Sequence, residues 1–158
     1  MKKIILLVLI AVLSVSLPAF AAQEPTESDM QIMLDKMKAD KKLLVAANMK
    51  LTETEAQKFW PVYEDYQAEL GKLNGRVAKL IEAYADVYNE NSMTDDKARK
   101  MVSELISIDE AEAAVKKLFA PRLYKALPAV KVARYLQIEN KIRAALRYEL
   151  ASAVPLVK

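Results

Sequence analysis

The sequence predicts an all-α protein of about four helices, built round one long central helix with helical-hairpin or coiled-coil-like packing. Three observations predict it. Between Thr52 and about Glu90, apolar residues fall at Phe59, Tyr63, Tyr66, Leu70, Leu73, Val77, Leu80, Tyr84 and Val87. These steps of four and three form a heptad seam, which Trp60, Ile81 and Tyr88 widen into a face. No stretch alternates with period two for long enough to make a strand. The chain also carries only two glycines, Gly71 and Gly75, so few tight turns can be built. At 1.5 Å per residue the central helix would be roughly 58 Å long, too long to bury its own stripe without partner helices.

Ahead of that domain lies a segment that reads as a processing signal. Lys2 and Lys3 form a basic start, Ile4 to Leu17 is an apolar run, and Pro18-Ala19-Phe20-Ala21 offers an A-x-A cleavage site. The run is short for a bilayer span, which needs about 20 residues. The expectation is a cleaved signal peptide over residues 1–21 and export to the periplasm, leaving one all-helical domain over 22–158 with a disordered tail at 22–27. The chain has no cysteine, so neither a disulfide nor a lipidated cysteine is available and packing alone must hold the domain together.

Each element has its own signals. Ser28 is a plausible N-cap for a first helix to about Ala47, with Asp29 in its first turn. Met30, Met33, Met37 and Leu44 share one face of it, interrupted by Asp40; such a face is core or, because thioethers adapt to irregular partners, a binding surface. Thr52 caps the central helix, and Glu55 three residues on completes a capping box. The seam keeps its phase through Pro61, which predicts a kinked but continuous helix. Asn89 to Ser92 is the next break, because Asn tolerates the left-handed conformation that ends helices. Thr94 then caps a third helix whose inner face is Met101, Leu105, Ile108, Val115 and Phe119, with Glu112 in a seam position. Pro121 is expected to kink or end it, with a further turn continuing to Leu127. Pro128 suits the first turn of a last helix to about Ala153, with Val132, Tyr135, Ile138, Ile142, Ala145 and Leu146 on one side.

Charge and composition exclude several functions. Residues 22–114 hold 12 Lys/Arg against 19 Asp/Glu, a net of −7, whereas residues 115–150 hold 9 against 2, a net of +7. The near-balance argues against a nucleic-acid binder. The asymmetry lets the two halves lie against each other, or leaves the basic segment to meet an acidic or unfolded partner. With no His and no Cys there is neither the usual proton shuttle at neutral pH nor a thiolate nucleophile, and no phosphate-binding glycine loop is present. Clustered acids such as Asp95, Asp96, Asp109 and Glu110 are generic, so no enzyme, metal or cofactor is expected.

Two helix starts repeat. Leu51-Thr52-Glu53-Thr54-Glu55-Ala56-Gln57 aligns with Met93-Thr94-Asp95-Asp96-Lys97-Ala98-Arg99, each an apolar anchor, a Thr cap and acidic residues in the first turn. The pair resembles the L-T-x-x-Q motifs of the Spy/CpxP family of periplasmic proteins. The motif positions here are Leu51, Thr52, Glu55, Gln57, Met93, Thr94 and Lys97, with Glu55 and Lys97 standing where the family has Gln. The resemblance implies a curved, dimeric cradle of long helices that holds unfolded proteins without ATP, with relatives in envelope-stress and metal responses.

The expected function is therefore a periplasmic, stress-related binding protein of chaperone-like type, with unfolded or misfolded envelope proteins as partners. Candidate contacts are Lys131, Arg134, Lys141, Arg143 and Arg147 on the last helix, and Met30, Met33 and Met37 on the first. The alternative is a non-catalytic envelope scaffold for one fixed partner. A membrane surface ranks below both, because the apolar side of the basic helix lacks Trp and Phe. The seam can close within one chain or in a homodimer.

Overall fold

A computed structural model describes residues 27–157, with side chains from Lys36 onward, Met37 excepted. The signal and tail segments, and the side chains of Met30, Met33 and Met37, lie outside the described residues. Four helices follow in order: α1 (Glu27–Met49), α2 (Glu53–Asn89), α3 (Asp95–Ala126) and α4 (Ala129–Ala153). The described residues contain no strand.

Local chemistry sets the boundaries. The Glu55 backbone N–H donates to Thr52 Oγ1 at 3.3 Å, and the Thr52 N–H donates to Glu55 Oε2 at 2.8 Å, closing the capping box that opens α2. At the far end, Asn91 takes φ 48° and the Ser92 N–H reaches back to Val87 O at 3.0 Å, a Schellman-type stop. Lys50, just past α1, is also left-handed at φ 47°. Thr94 caps α3 by accepting from the Lys97 N–H at 3.3 Å, and Lys97 Nζ ties down Ser92 O at 2.9 Å. Pro61 and Pro121 both sit inside continuous helices. Pro128 stands one position before the last helix and accepts from the N–H of Lys131 and Val132.

Alternating direction follows from these short connections. α2 and α3 form an antiparallel hairpin, with Tyr66 against Phe119 and Arg76 Nε donating to Glu104 at 2.9 Å. α4 returns parallel to α2, from Lys131 paired with Glu55 to the Tyr84 hydroxyl on Pro155 O at 2.8 Å. α1 runs antiparallel to both, with Lys42 on Glu64 at 2.5 Å and Lys41 on Glu139 at 2.8 Å. The acidic and basic halves of the sequence thus lie against each other.

Burial concentrates at one end. Val45, Met49, Phe59, Tyr63, Tyr66, Leu70, Leu73, Phe119, Leu123, Ala126, Leu127, Val132 and Tyr135 make one core cluster. Its centre is aromatic: Tyr135 meets Phe59 edge-on at 5.0 Å, and Tyr63 and Tyr66 at 6.0 and 6.1 Å. Farther along α2 the seam is only half covered, at Val77, Leu80, Tyr84 and Val87. Two sequence expectations need correction. The described part of α1 buries Val45 and Met49, while Leu44 is 46% exposed, because the buried strip of its last two turns lies about a third of a turn round from Leu44. Leu105 is 50% exposed, since Ile108 and Glu112 define the inward line of α3. A Cβ added at Gly71 or Gly75 would meet nothing within 4 Å.

Candidate functional site

The five basic residues expected to meet a partner divide into two groups. Lys131 is half-buried and held by Glu55, and its Nζ also donates to Lys50 O at 3.1 Å, locking the start of α4 over the α1–α2 connection. Arg143 Nη1 donates to Glu112 Oε2 at 2.7 Å. Arg147 Nη2 donates to the same oxygen and to Asp109 Oδ1, both at 2.9 Å. With Lys116 on its other oxygen at 2.6 Å, Glu112 is only 4% exposed yet fully paired. Burial pushes its carboxyl up, but the Lys116 hydrogen bond and the charges of Arg143, Lys116 and Arg147 outweigh it and leave the group below its ordinary 4.5. Lys131, Arg143 and Arg147 thus fasten the bundle.

A second buried carboxylate fastens α1. Glu139, also 4% exposed, receives Lys41 at 2.8 Å and Gln67 Nε2 at 2.9 Å. Gln67 in turn donates to the Tyr135 hydroxyl at 3.1 Å and accepts from Lys41 at 2.7 Å. Nothing in the helical pattern flagged Glu139; its spacing of four from Tyr135 on the buried side was the available signal.

Arg134 and Lys141 behave differently. Both are exposed and neither has an ion pair or hydrogen bond among the described residues. They rim a groove of about 520 Å³ between α1 and α4, with Leu44, Ile138 and Ile142 as its apolar lining and Asn48 and Gln137 as neutral amides. Arg134, Gln137, Ile138, Lys141 and Ile142 occupy successive positions of one helical face, so α4 presents cations and apolar groups in a single strip. No carboxylate lines the groove among the described residues, because Glu139 on the same helix is turned inward.

A second surface lies on α3, where Asp95, Ala98, Arg99, Val102, Ser103, Ile106, Ser107 and Glu110 fall together. All of these belong to one helix, so among the described residues it is a helix face and no cleft. Val102 and Ile106 are 55% and 53% exposed there. Leu118, Tyr124 and Tyr148 are further large side chains left open to solvent.

The family-motif positions serve as helix starts. Thr52, Glu55, Thr94 and Lys97 form the two caps, Leu51 packs on the core, Met93 is half-buried and Gln57 is exposed. No group of three or more metal-ligating side chains occurs among the described residues, and no described helix is long and apolar enough to cross a membrane. No family model matches the chain, and no curated protein or solved structure is significantly similar to it.

Proposed function

We propose that this chain is an exported, ATP-independent holding protein that keeps unfolded or misfolded envelope polypeptides from aggregating. The observation that carries the reading is the α1–α4 groove, whose apolar lining is rimmed by two cations with no internal partner among the described residues. A folded domain gains nothing in stability from leaving Arg134 and Lys141 unpaired beside Leu44, Ile138 and Ile142. A surface that meets acidic and apolar stretches of another chain uses all five. The exposed Val102, Ile106, Leu118 and Tyr124 add apolar contact outside the groove. The L-T-x-x-type motif pair and the signal-like N-terminus, read from the sequence, point the same way.

The test is light scattering by a thermally aggregating client protein, with and without the purified chain. The reading expects scattering to fall at equimolar to several-fold excess, and no change at several-fold excess removes it. A scaffold for one fixed partner is the second reading, favoured by the α3 face, where Arg99 and Glu110 flank Val102 and Ile106 without partners of their own among the described residues. Recovery of one stoichiometric partner in place of a broad client set would favour it.

A further inference from the structure

We infer that the α1–α4 groove receives an acidic amphipathic helix from another polypeptide, with two carboxylates spaced to meet Arg134 and Lys141. This rests on the holding-protein reading and names the kind of segment that is held. Charge complementarity supplies the first argument. Of the basic residues on α4, Lys131, Arg143 and Arg147 are satisfied by Glu55, Glu112 and Asp109. On this helix Arg134 and Lys141 are the two left without an acid among the described residues, and both stand on the groove rim. They stand seven residues apart, two helical turns or about 10.5 Å along the axis. A visiting helix with acids seven residues apart repeats that interval, so both pairs form at once.

The walls argue for a helix and against an extended strand. α1 and α4 have satisfied their own backbone groups within each helix, so the groove has no strand edge on which an extended chain could pair. A helix brings its backbone already satisfied and can lay a stripe of apolar side chains on Leu44, Ile138 and Ile142. The same geometry disfavours a flat anionic membrane. The groove is only about two turns long, its lining holds no aromatic residue among the described residues, and three of the five basic side chains of the set point into internal ion pairs.

The experiment measures anisotropy and circular dichroism of labelled peptides of about 18 residues with the full protein. One peptide carries an apolar stripe with Glu pairs seven apart, and a second has Gln in place of each Glu. Vesicles of mixed phosphatidylglycerol and phosphatidylcholine form a separate arm. The acidic peptide is expected to bind with a gain in helicity, and roughly tenfold more tightly than the Gln peptide at low salt. That margin is expected to vanish at high salt and in R134Q/K141Q, and to reverse in favour of the Gln peptide in R134E/K141E. Both positions are exposed and unpaired among the described residues, so the variants should keep the wild-type far-ultraviolet spectrum. Equal binding of the Gln peptide, or an unchanged affinity in R134E/K141E, overturns the inference. So does Arg134- and Lys141-dependent vesicle binding without peptide binding. If suppression of client aggregation persists while the peptides are not distinguished, only the helix inference falls; if suppression is absent too, the holding reading falls with it.

Discussion

Two tyrosines in the same core have opposite polar surroundings. The Tyr66 hydroxyl is buried without a hydrogen-bond partner among the described residues, whereas the Tyr135 hydroxyl accepts from Gln67 at 3.1 Å. An unsatisfied buried hydroxyl costs about 1–3 kcal/mol of lost hydration, and a satisfied one contributes about 1 kcal/mol. Y66F should therefore be neutral or stabilise by about 1 kcal/mol, while Y135F should destabilise by about the same amount. Urea midpoints of the two variants check the opposite signs. Titration follows from the same residues. Burial, and after it the negative charge of Glu139, pushes the Tyr66 phenol up to about 12 and raises Tyr63 and Tyr135 as well. A phenol whose folded value is raised stabilises the fold below its ordinary value of 10 and loses that contribution as the pH climbs toward the folded value. On the acid side, Glu112 lies below 4.5, so its contribution is present above that value and is lost as the pH falls through the lower folded one. The melting temperature should hold level at neutral pH, dropping below about pH 4 and above about pH 10. An unchanged melting temperature at pH 11 would contradict the burial of the three phenols.

The helices themselves were largely legible, for a local reason. Thr caps, acidic first turns, Asn91 at a left-handed stop and the unbroken phase through Pro61 all act within a few residues of where they are read. The face of α1 was not legible in the same way. Leu44 and Val45 are adjacent and both apolar, and which one turns inward depends on where α4 sits, a long-range fact. Glu112 was legible as a seam position but its pairing was not, and Glu139 was hidden altogether, because a carboxylate in an apolar seam becomes favourable only when cations from other helices arrive. Gly71 and Gly75 sit exposed in mid-α2 with open space around the missing side chain. G71A and G75A should each raise stability by about 0.5–1 kcal/mol, because alanine restricts the unfolded chain and clashes with nothing. T52A should lower it by about 1 kcal/mol through loss of the capping box. Thermal melts of the three variants test both directions, and a destabilised G71A would mean that α2 is closely approached at that turn.

Taken whole, the molecule is an up-and-down bundle whose apolar core cluster fills one end, with ion pairs such as Arg76–Glu104 and Arg147–Asp109 and a half-covered apolar seam farther along. Of the basic residues singled out on α4, the bundle uses Lys131, Arg143 and Arg147 to hold itself together and leaves Arg134 and Lys141 over the groove. The sequence offered five basic positions but not this division, because which cations find an internal acid depends on the register between α4 and the α2–α3 hairpin. The proposed function stands on the two that remain. The most direct measurement is client aggregation followed by light scattering in the presence of the wild-type chain and of R134E/K141E, at low and at high salt. Suppression by the wild type that weakens with salt and is largely lost in the variant is the predicted result. Equal suppression by both proteins, insensitive to salt, would contradict it.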